Sequence, residues 1–150
     1  MEWLILFMVS WIVFFILIDR GTLGKNIWCG IAAVVLQFAV DTQAISHQLY
    51  TVQQTIFKIK GSSIFFIFGP VIVIGTLLAQ YLPRKRWANV LNIIVVAGLY
   101  SLQEYLLLKR GVLVYNNWHF SDSIVVNLSA MIILTWFAMV VLRKAGEAGE

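Results

Sequence analysis

Apolar residues fill most of the chain in five long runs, each bounded by charged residues. A run of about 20 apolar residues is what an α-helix needs to cross the ~30 Å hydrocarbon core of a bilayer. The pattern therefore predicts an all-α fold, a polytopic transmembrane helical bundle that forms one domain of residues 1–150. The predicted spans are residues 3–18, 26–44, 62–82, 87–108 and 124–142.

Between the second and third spans, apolar residues recur at helical spacing among polar ones. Ile45, Leu49, Val52 and Ile56 follow one another at i, i+4, i+7 and i+11, which is the spacing of one helix face. Residues 45–60 are therefore predicted to form an amphipathic helix that lies in the membrane interface.

Two further stretches depart from a regular span. Gly69-Pro70 lies inside the third run, and we expect a kink there because proline lacks the N–H group that a helix needs. The small and polar residues 145–150 are predicted to form a flexible tail.

The composition excludes an ordinary soluble domain, because 61% of the residues are hydrophobic and only 12% are charged. The net charge is +4, but the basic residues are scattered among short loops and form no basic face. The predicted partner is therefore the lipid bilayer and not nucleic acid. Cys29 is the only cysteine in the sequence, so an internal disulfide and a thiolate metal cluster are excluded.

The basic residues also predict the orientation, because cytoplasmic loops of membrane proteins are rich in Lys and Arg. Arg20, Lys25, Arg84, Lys85, Arg86, Arg143 and Lys144 fall on one side of the five predicted spans, whereas Lys58, Lys60, Lys109 and Arg110 fall on the other. We expect a multi-pass protein with its N-terminus outside and its C-terminus in the cytoplasm. The sequence begins Met-Glu-Trp without a basic stretch, so a removable signal peptide is not expected.

Asp41 and Glu104 are the ionisable residues inside the predicted spans. An Asp at the middle of a span costs ~2.5 to 3.5 kcal/mol, so such residues usually face the bundle interior. At ~1.5 Å per residue, they lie about 22 and 25 Å from the cytoplasmic ends of their helices, at similar depth toward the outer face. Small and polar residues share their helix faces and should turn inward with them. The three faces are Gly30, Ala33, Gln37, Asp41, Ala44 and Gln48; Gly69, Thr76 and Gln80; and Ala97, Tyr100, Ser101 and Glu104.

These faces and the outer loops predict a polar pocket in the outer leaflet. Its predicted ligand-binding residues are Asp41, Glu104, Gln37, His47, Tyr100, Ser101, Gln80 and Trp118. His47 and His119, with Asp122 and the two carboxylates, are side chains that Zn²⁺ accepts. No spacing places two such ligands on one helical turn, so we predict no metal site and leave the cofactor open.

Three features of the sequence resemble a known family. They are Phe65-Phe66-Ile67-Phe68-Gly69-Pro70, Tyr81-Leu82-Pro83, and Glu104 followed by Gly111, Tyr115, Trp118 and Ser121. Over residues 62–142 the chain resembles the small five-helix integral membrane proteins of spore-forming Gram-positive bacteria, a family without an assigned function. The resemblance implies a bacterial cell-membrane protein with this topology. It also points to Glu104 and Trp118, but it implies no reaction.

The first functional hypothesis is a bundle whose outer pocket binds or translocates an amphipathic small molecule, such as a lipid or isoprenoid. An intramembrane enzyme that acts on such a substrate is the alternative, with Glu104 as general acid or base. An enzyme with a covalent intermediate is disfavoured, because no nucleophile elbow or phosphate loop is present. Two further possibilities stay open: the protein could be an accessory subunit of a membrane complex, and it could form a homo-oligomer.

Overall fold

The computed structural model describes residues 1–143, so the predicted tail at 145–150 lies outside the described residues. The described residues are mostly helical and form five helices, which agree closely with the five apolar runs. The helices are α1 (Glu2–Leu17), α2 (Leu23–Ser46), α3 (Ile64–Gln80), α4 (Arg86–Lys109) and α5 (Phe120–Val141).

Three of these helices are long and apolar enough to cross a membrane. Helices α2 and α4 have 24 residues each, and α5 has 22. Helices α1 and α3 are apolar but shorter. The 16 residues of α1 extend for about 24 Å, which is less than the ~30 Å hydrocarbon core.

The outer surfaces of the helices are apolar. Ile12 and Ile16 of α1 and Ile94 and Leu99 of α4 are each more than half exposed. Monomeric soluble proteins rarely expose contiguous apolar faces of this kind. The fold is therefore compatible with a membrane protein whose helices contact lipid.

The helices run up and down, so their ends meet at two ends of the bundle. At one end, the Gln80 side chain accepts a hydrogen bond from the Asp19 backbone N–H (2.9 Å) and donates one to the Leu17 carbonyl (2.8 Å). At the other end, the Trp3 indole N–H donates to the Gln53 carbonyl (2.7 Å). The α2–α3 and α4–α5 loops lie at this second end.

These two loops, residues 47–63 and 111–119, form a cap over the bundle. Strand β1 (Tyr50–Val52) of the first loop pairs antiparallel with β4 (Leu113–Tyr115) of the second. Strands β2 (Lys58–Ile59) and β3 (Ser62–Ser63) form a hairpin within the first loop. Its two-residue turn has positive φ at Lys60 (48°) and Gly61 (92°), as a type I′ turn requires.

The prediction of an amphipathic helix at residues 45–60 is wrong. Helix α2 ends at Ser46, and Gln48 and Gln54 adopt positive φ angles that no α-helix contains. The aromatic and β-branched residues of β1 suit a strand, and their partner strand lies about 60 residues further along the chain. Hydrophobic spacing within the segment carries no signal of that distant partner.

Helices α2 and α3 pack with their backbones close together. A Cβ atom on Gly30 would lie 2.2 Å from Thr76 Oγ1, and one on Gly75 would lie 2.6 Å from the Cβ of Ala33. Glycine is needed at both positions because any side chain would push the helices apart. Gly30, Ala33, Asp41 and Ala44 are buried, so the predicted inward face of α2 is confirmed there.

The Gly69-Pro70 pair interrupts the regular geometry of α3, where the sequence predicts an irregularity. Residues Ile67–Val71 form a π-helical turn, a device that accommodates a residue whose normal helical hydrogen bond is missing. A Cβ on Gly69 would lie 3.1 Å from the Cα of Phe7. The turn therefore packs directly against α1.

Candidate functional site

A cavity of about 80 Å³ lies beneath the cap, between helices α2, α3, α4 and α5. One part of its wall is polar and carries Asp41 and Glu104, and another part is apolar and includes Ile74, Met131 and Leu134. A buried water needs about 10–15 Å³ of such space. The cavity therefore has room for several water molecules or one small polar group.

Asp41 lies near the end of α2, and only 3% of its surface is exposed. Its Oδ1 atom accepts hydrogen bonds from the Tyr50 hydroxyl and from Gln37 Nε2 (2.7 Å), and its Oδ2 atom accepts one from the Ser62 hydroxyl. Tyr50 and Ser62 belong to strands β1 and β3. The cap therefore supplies two of the three donors that Asp41 needs in order to be buried.

Gln37 connects the Asp41 carboxylate on α2 to helix α4. Its Oε1 atom accepts a hydrogen bond from the Tyr100 hydroxyl (2.8 Å) on α4. The side chains of Tyr100, Gln37 and Asp41 thus form one continuous chain of hydrogen bonds across the cavity wall.

Glu104, on α4, is half-buried and also accepts three hydrogen bonds. The Tyr115 hydroxyl and the Ser123 hydroxyl (2.6 Å) donate to Oε1, and Asn127 Nδ2 donates to Oε2 (3.1 Å). The Trp118 indole N–H donates to Ser123 Oγ (2.6 Å). The cap and α5 together surround Glu104, as the cap and α2 surround Asp41.

Two tyrosines of the cap stay protonated donors. Burial, reinforced by the negative charge of Asp41, raises the pKa of the Tyr50 hydroxyl far above its ordinary value. Burial and the hydrogen bond to Glu104 likewise raise the pKa of Tyr115. Both phenols therefore donate to their carboxylates throughout the physiological pH range.

Most of the predicted site residues meet at the cavity. Those that line it are Gln37, Asp41, Tyr100, Glu104 and Trp118. Ser101 is buried beside them, and its hydroxyl accepts a hydrogen bond from Asn127 Nδ2 (3.1 Å).

Besides Ser101, which lies beside the cavity without lining it, two predicted site residues lie away from it. Gln80 lies at the opposite end of α3, where it binds the backbone around the end of α1. Helical periodicity assigned it to the correct face but could not assign the depth. His47 is exposed at the C-terminal end of α2, because the chain turns into the cap directly after it.

His119 and Asp122, at the start of α5, serve a structural purpose. The His119 backbone N–H donates to Asp122 Oδ2 (3.0 Å), so the pair forms the N-terminal capping box of α5. Within residues 1–143, no three His, Cys, Asp or Glu side chains are grouped closely enough to hold a metal ion.

Sequence reasoning missed five donors of the site, namely Tyr50, Ser62, Tyr115, Ser123 and Asn127. Ser123 and Asn127 lie four residues apart on one face of α5 in a largely apolar run, and this spacing was an available signal. Tyr50 and Ser62 offered no such signal, because their positions depend on the β1–β4 strand pair and on the β2–β3 hairpin of the cap.

Comparison of the chain with protein-family models, with curated proteins and with solved structures finds no match. The function is therefore inferred from the cavity and from the chemistry of its wall.

Proposed function

We propose that the protein is an integral protein of the bacterial cell membrane that binds a lipid-like amphipathic small molecule in its capped cavity. The five helices are five spans, with the N-terminus and the cap outside and the C-terminus in the cytoplasm. The cavity then lies at the level of the outer leaflet. The resemblance to the five-helix family of spore-forming bacteria belongs to the same proposal.

The positions of the helix ends support five spans, because the two short helices begin and end at the same two ends of the bundle as the long ones. Helices α1 and α3 are short, but each begins at the capped end and ends beside the other near Leu17 and Gln80. A bilayer accommodates a short span by thinning locally, at a modest cost in free energy. Packing against the three long helices favours insertion of the two short ones beside them.

The binding proposal rests on the wall of the cavity, which is polar on one side and apolar on the other. A polar cluster lies under the cap, and an apolar surface continues from it toward the bundle interior. Ligand sites commonly combine apolar walls with a few polar groups that fix orientation. The small volume fits a head group, while the apolar chain of the ligand would lie along the helices in lipid.

Gln103 adds a buried polar group that needs an acceptor in the cavity. It lines the cavity, and its Nε2 atom is buried without a hydrogen-bond partner in the described part of the chain. A buried donor without a partner costs about 1–3 kcal/mol. A water molecule held in the cavity beside the ligand would accept this hydrogen bond and remove that cost.

The alternative of an intramembrane enzyme has less support. Asp41 and Glu104 each accept three hydrogen bonds from the protein, and a carboxyl group held in this way is less free to reach the reacting atom of a substrate. The same geometry suits binding, with translocation or presentation to a membrane partner as the outcome.

Native mass spectrometry of the protein released from its own membrane tests the proposal. We expect a stoichiometric amphiphile adduct on the wild-type protein. Ala130 lines the cavity, so Ala130→Phe should fill it and reduce the adduct by about tenfold or more. Ala39→Phe is the matched control, because Ala39 is exposed on α2.

A bare wild-type protein would contradict the proposal. An adduct that survives Ala130→Phe as well as it survives Ala39→Phe would also contradict it, because the amphiphile would then be bound outside the cavity.

A further inference from the structure

We infer that the head group bound in the cavity is a cation, the protonated amine of a lipophilic amine. The inference rests on the proposed function, since it names the ligand class for the same cavity. Three features of the wall lead to it, namely its charge, its unused hydrogen-bond acceptors and its aromatic rings.

The wall carries two carboxyl groups and, among the described residues, no basic side chain to pair with them. Asp41 and Glu104 line the cavity, whereas no Lys, Arg or His among residues 1–143 does so. Lys60, a basic residue of the cap, is exposed and lies over the ring of Phe38, 5.4 Å from its centre. Buried charges need opposite charges nearby. A phosphate head group would instead meet two carboxylates.

Each carboxyl group has an acceptor position that the described residues do not use. Asp41 Oδ1 and Glu104 Oε1 each accept two hydrogen bonds, whereas Asp41 Oδ2 and Glu104 Oε2 each accept one. A carboxylate offers about four acceptor positions, and a primary ammonium group has three N–H donors and no acceptor. The unused positions therefore match an ammonium group and not an anion.

Aromatic rings complete the surroundings of such a cation. Trp3, Phe66 and Tyr100 form a series with ring centres 5.7 and 6.0 Å apart, and Tyr50 and Trp118 form a second pair at 6.2 Å. All five rings line the cavity. The face of an aromatic ring attracts a cation, and most strongly in a desolvated site.

A pair of probes with equal chains and opposite charges tests the inference. Decylamine, protonated at pH 7, and decylsulfonate are titrated into the purified protein in nanodiscs of neutral phosphatidylcholine. Isothermal titration calorimetry measures binding, and the heat from empty nanodiscs is subtracted. We expect decylammonium to bind about tenfold or more tightly than decylsulfonate.

The carboxylates are tested with Asp41→Asn combined with Glu104→Gln, since each amide keeps one oxygen that can accept the two hydrogen bonds now made to Asp41 Oδ1 and Glu104 Oε1 and loses only the single bond at the other oxygen. This variant should lose about tenfold in affinity for decylammonium and gain or keep its affinity for decylsulfonate. The wild-type comparison of the two probes decides the inference even if the variant does not fold.

If decylsulfonate binds as tightly as decylammonium or more tightly, and Ala130→Phe abolishes that binding, the head group is not a cation and the proposed function stands. If neither probe binds, the inference of a cationic head group is also wrong. The proposed function itself fails only if the purified protein carries no amphiphile that Ala130→Phe removes.

Discussion

At the scale of single residues, the site depends on hydroxyl groups that hold two carboxylates in place. Ser123 is the clearest case, since it is buried and its Oγ atom lies within 2.8 Å of polar atoms of Tyr115, Trp118 and Glu104. One small side chain thus connects the cap to α4 and α5. Its loss would leave an indole N–H without its acceptor and a carboxylate with one donor fewer.

We therefore predict that Ser123→Ala lowers the free energy of unfolding by about 1–3 kcal/mol, because buried polar partners are left unsatisfied. The measurement is unfolding of the purified protein in bicelles by increasing SDS, followed by circular dichroism. Ser129→Ala is the control on the same helix. Ser129 is exposed and its hydroxyl bonds only to the Val125 carbonyl of its own helix, so the change should stay within about 0.5 kcal/mol. Equal losses in the two variants would show that the Ser123 contacts contribute nothing.

Sequence reasoning reached the acceptors of the site but not all of its donors. Asp41 and Glu104 stand out because a charge inside an apolar run is costly and has to be buried among partners. Gln37 and Tyr100 follow from the same helical spacing. Tyr50 and Ser62 could not be found in this way, because a hydroxyl in a loop carries no periodic signal.

At the scale of elements, the close contact between α2 and α3 fixes the width of the bundle at the cavity. Gly30 and Gly75 let the two backbones meet, and Gly75 itself lines the cavity. In a membrane, helices associate largely through such close packing, since lipid offers no hydrophobic driving force between them.

Gly30→Ala should destabilise the bundle by about 1–3 kcal/mol, because its new Cβ would lie 2.2 Å from Thr76 Oγ1 and 2.7 Å from the Ile72 carbonyl oxygen. Gly98→Ala is the matched control, since Gly98 is a helical glycine with nothing within 4 Å of an added Cβ. It should leave stability unchanged or raise it by up to about 1 kcal/mol through helix propensity. Thermal unfolding in detergent measures both, and a neutral Gly30→Ala would contradict the close crossing of α2 and α3.

The helices were predictable because each is specified by its own apolar run and by the charges that bound it. The cap was not. Its β1–β4 pair joins residues that lie far apart in the sequence, and tertiary contact overrides the helical spacing of Leu49, Val52 and Ile56.

At the scale of the whole molecule, the two ends of the bundle differ in structure and in charge. The capped end carries Lys58, Lys60, Lys109 and Arg110, whereas the opposite end carries Arg20, Lys25, Arg84, Lys85, Arg86 and Arg143, and Lys144 comes next in the sequence. The proposed orientation follows from this difference.

Cysteine labelling of intact cells checks the orientation. We expect His119→Cys, at the exposed start of α5, to react with a membrane-impermeant maleimide. Lys85→Cys, exposed at the opposite end, should react only after the cells are permeabilised. Native Cys29 is fully buried and should give little background. Labelling in the reverse order would invert the topology, and labelling of both positions from outside would exclude an odd number of crossings between them.

The arrangement around Glu104 has a consequence for synthesis of the protein on the ribosome. All three of its donors, Tyr115, Ser123 and Asn127, come later in the chain. The carboxyl group of α4 is therefore translated before every residue that binds it. A chain that stops before the last helix lacks Ser123 and Asn127, so only a chain that includes α5 has both carboxyl groups fully paired.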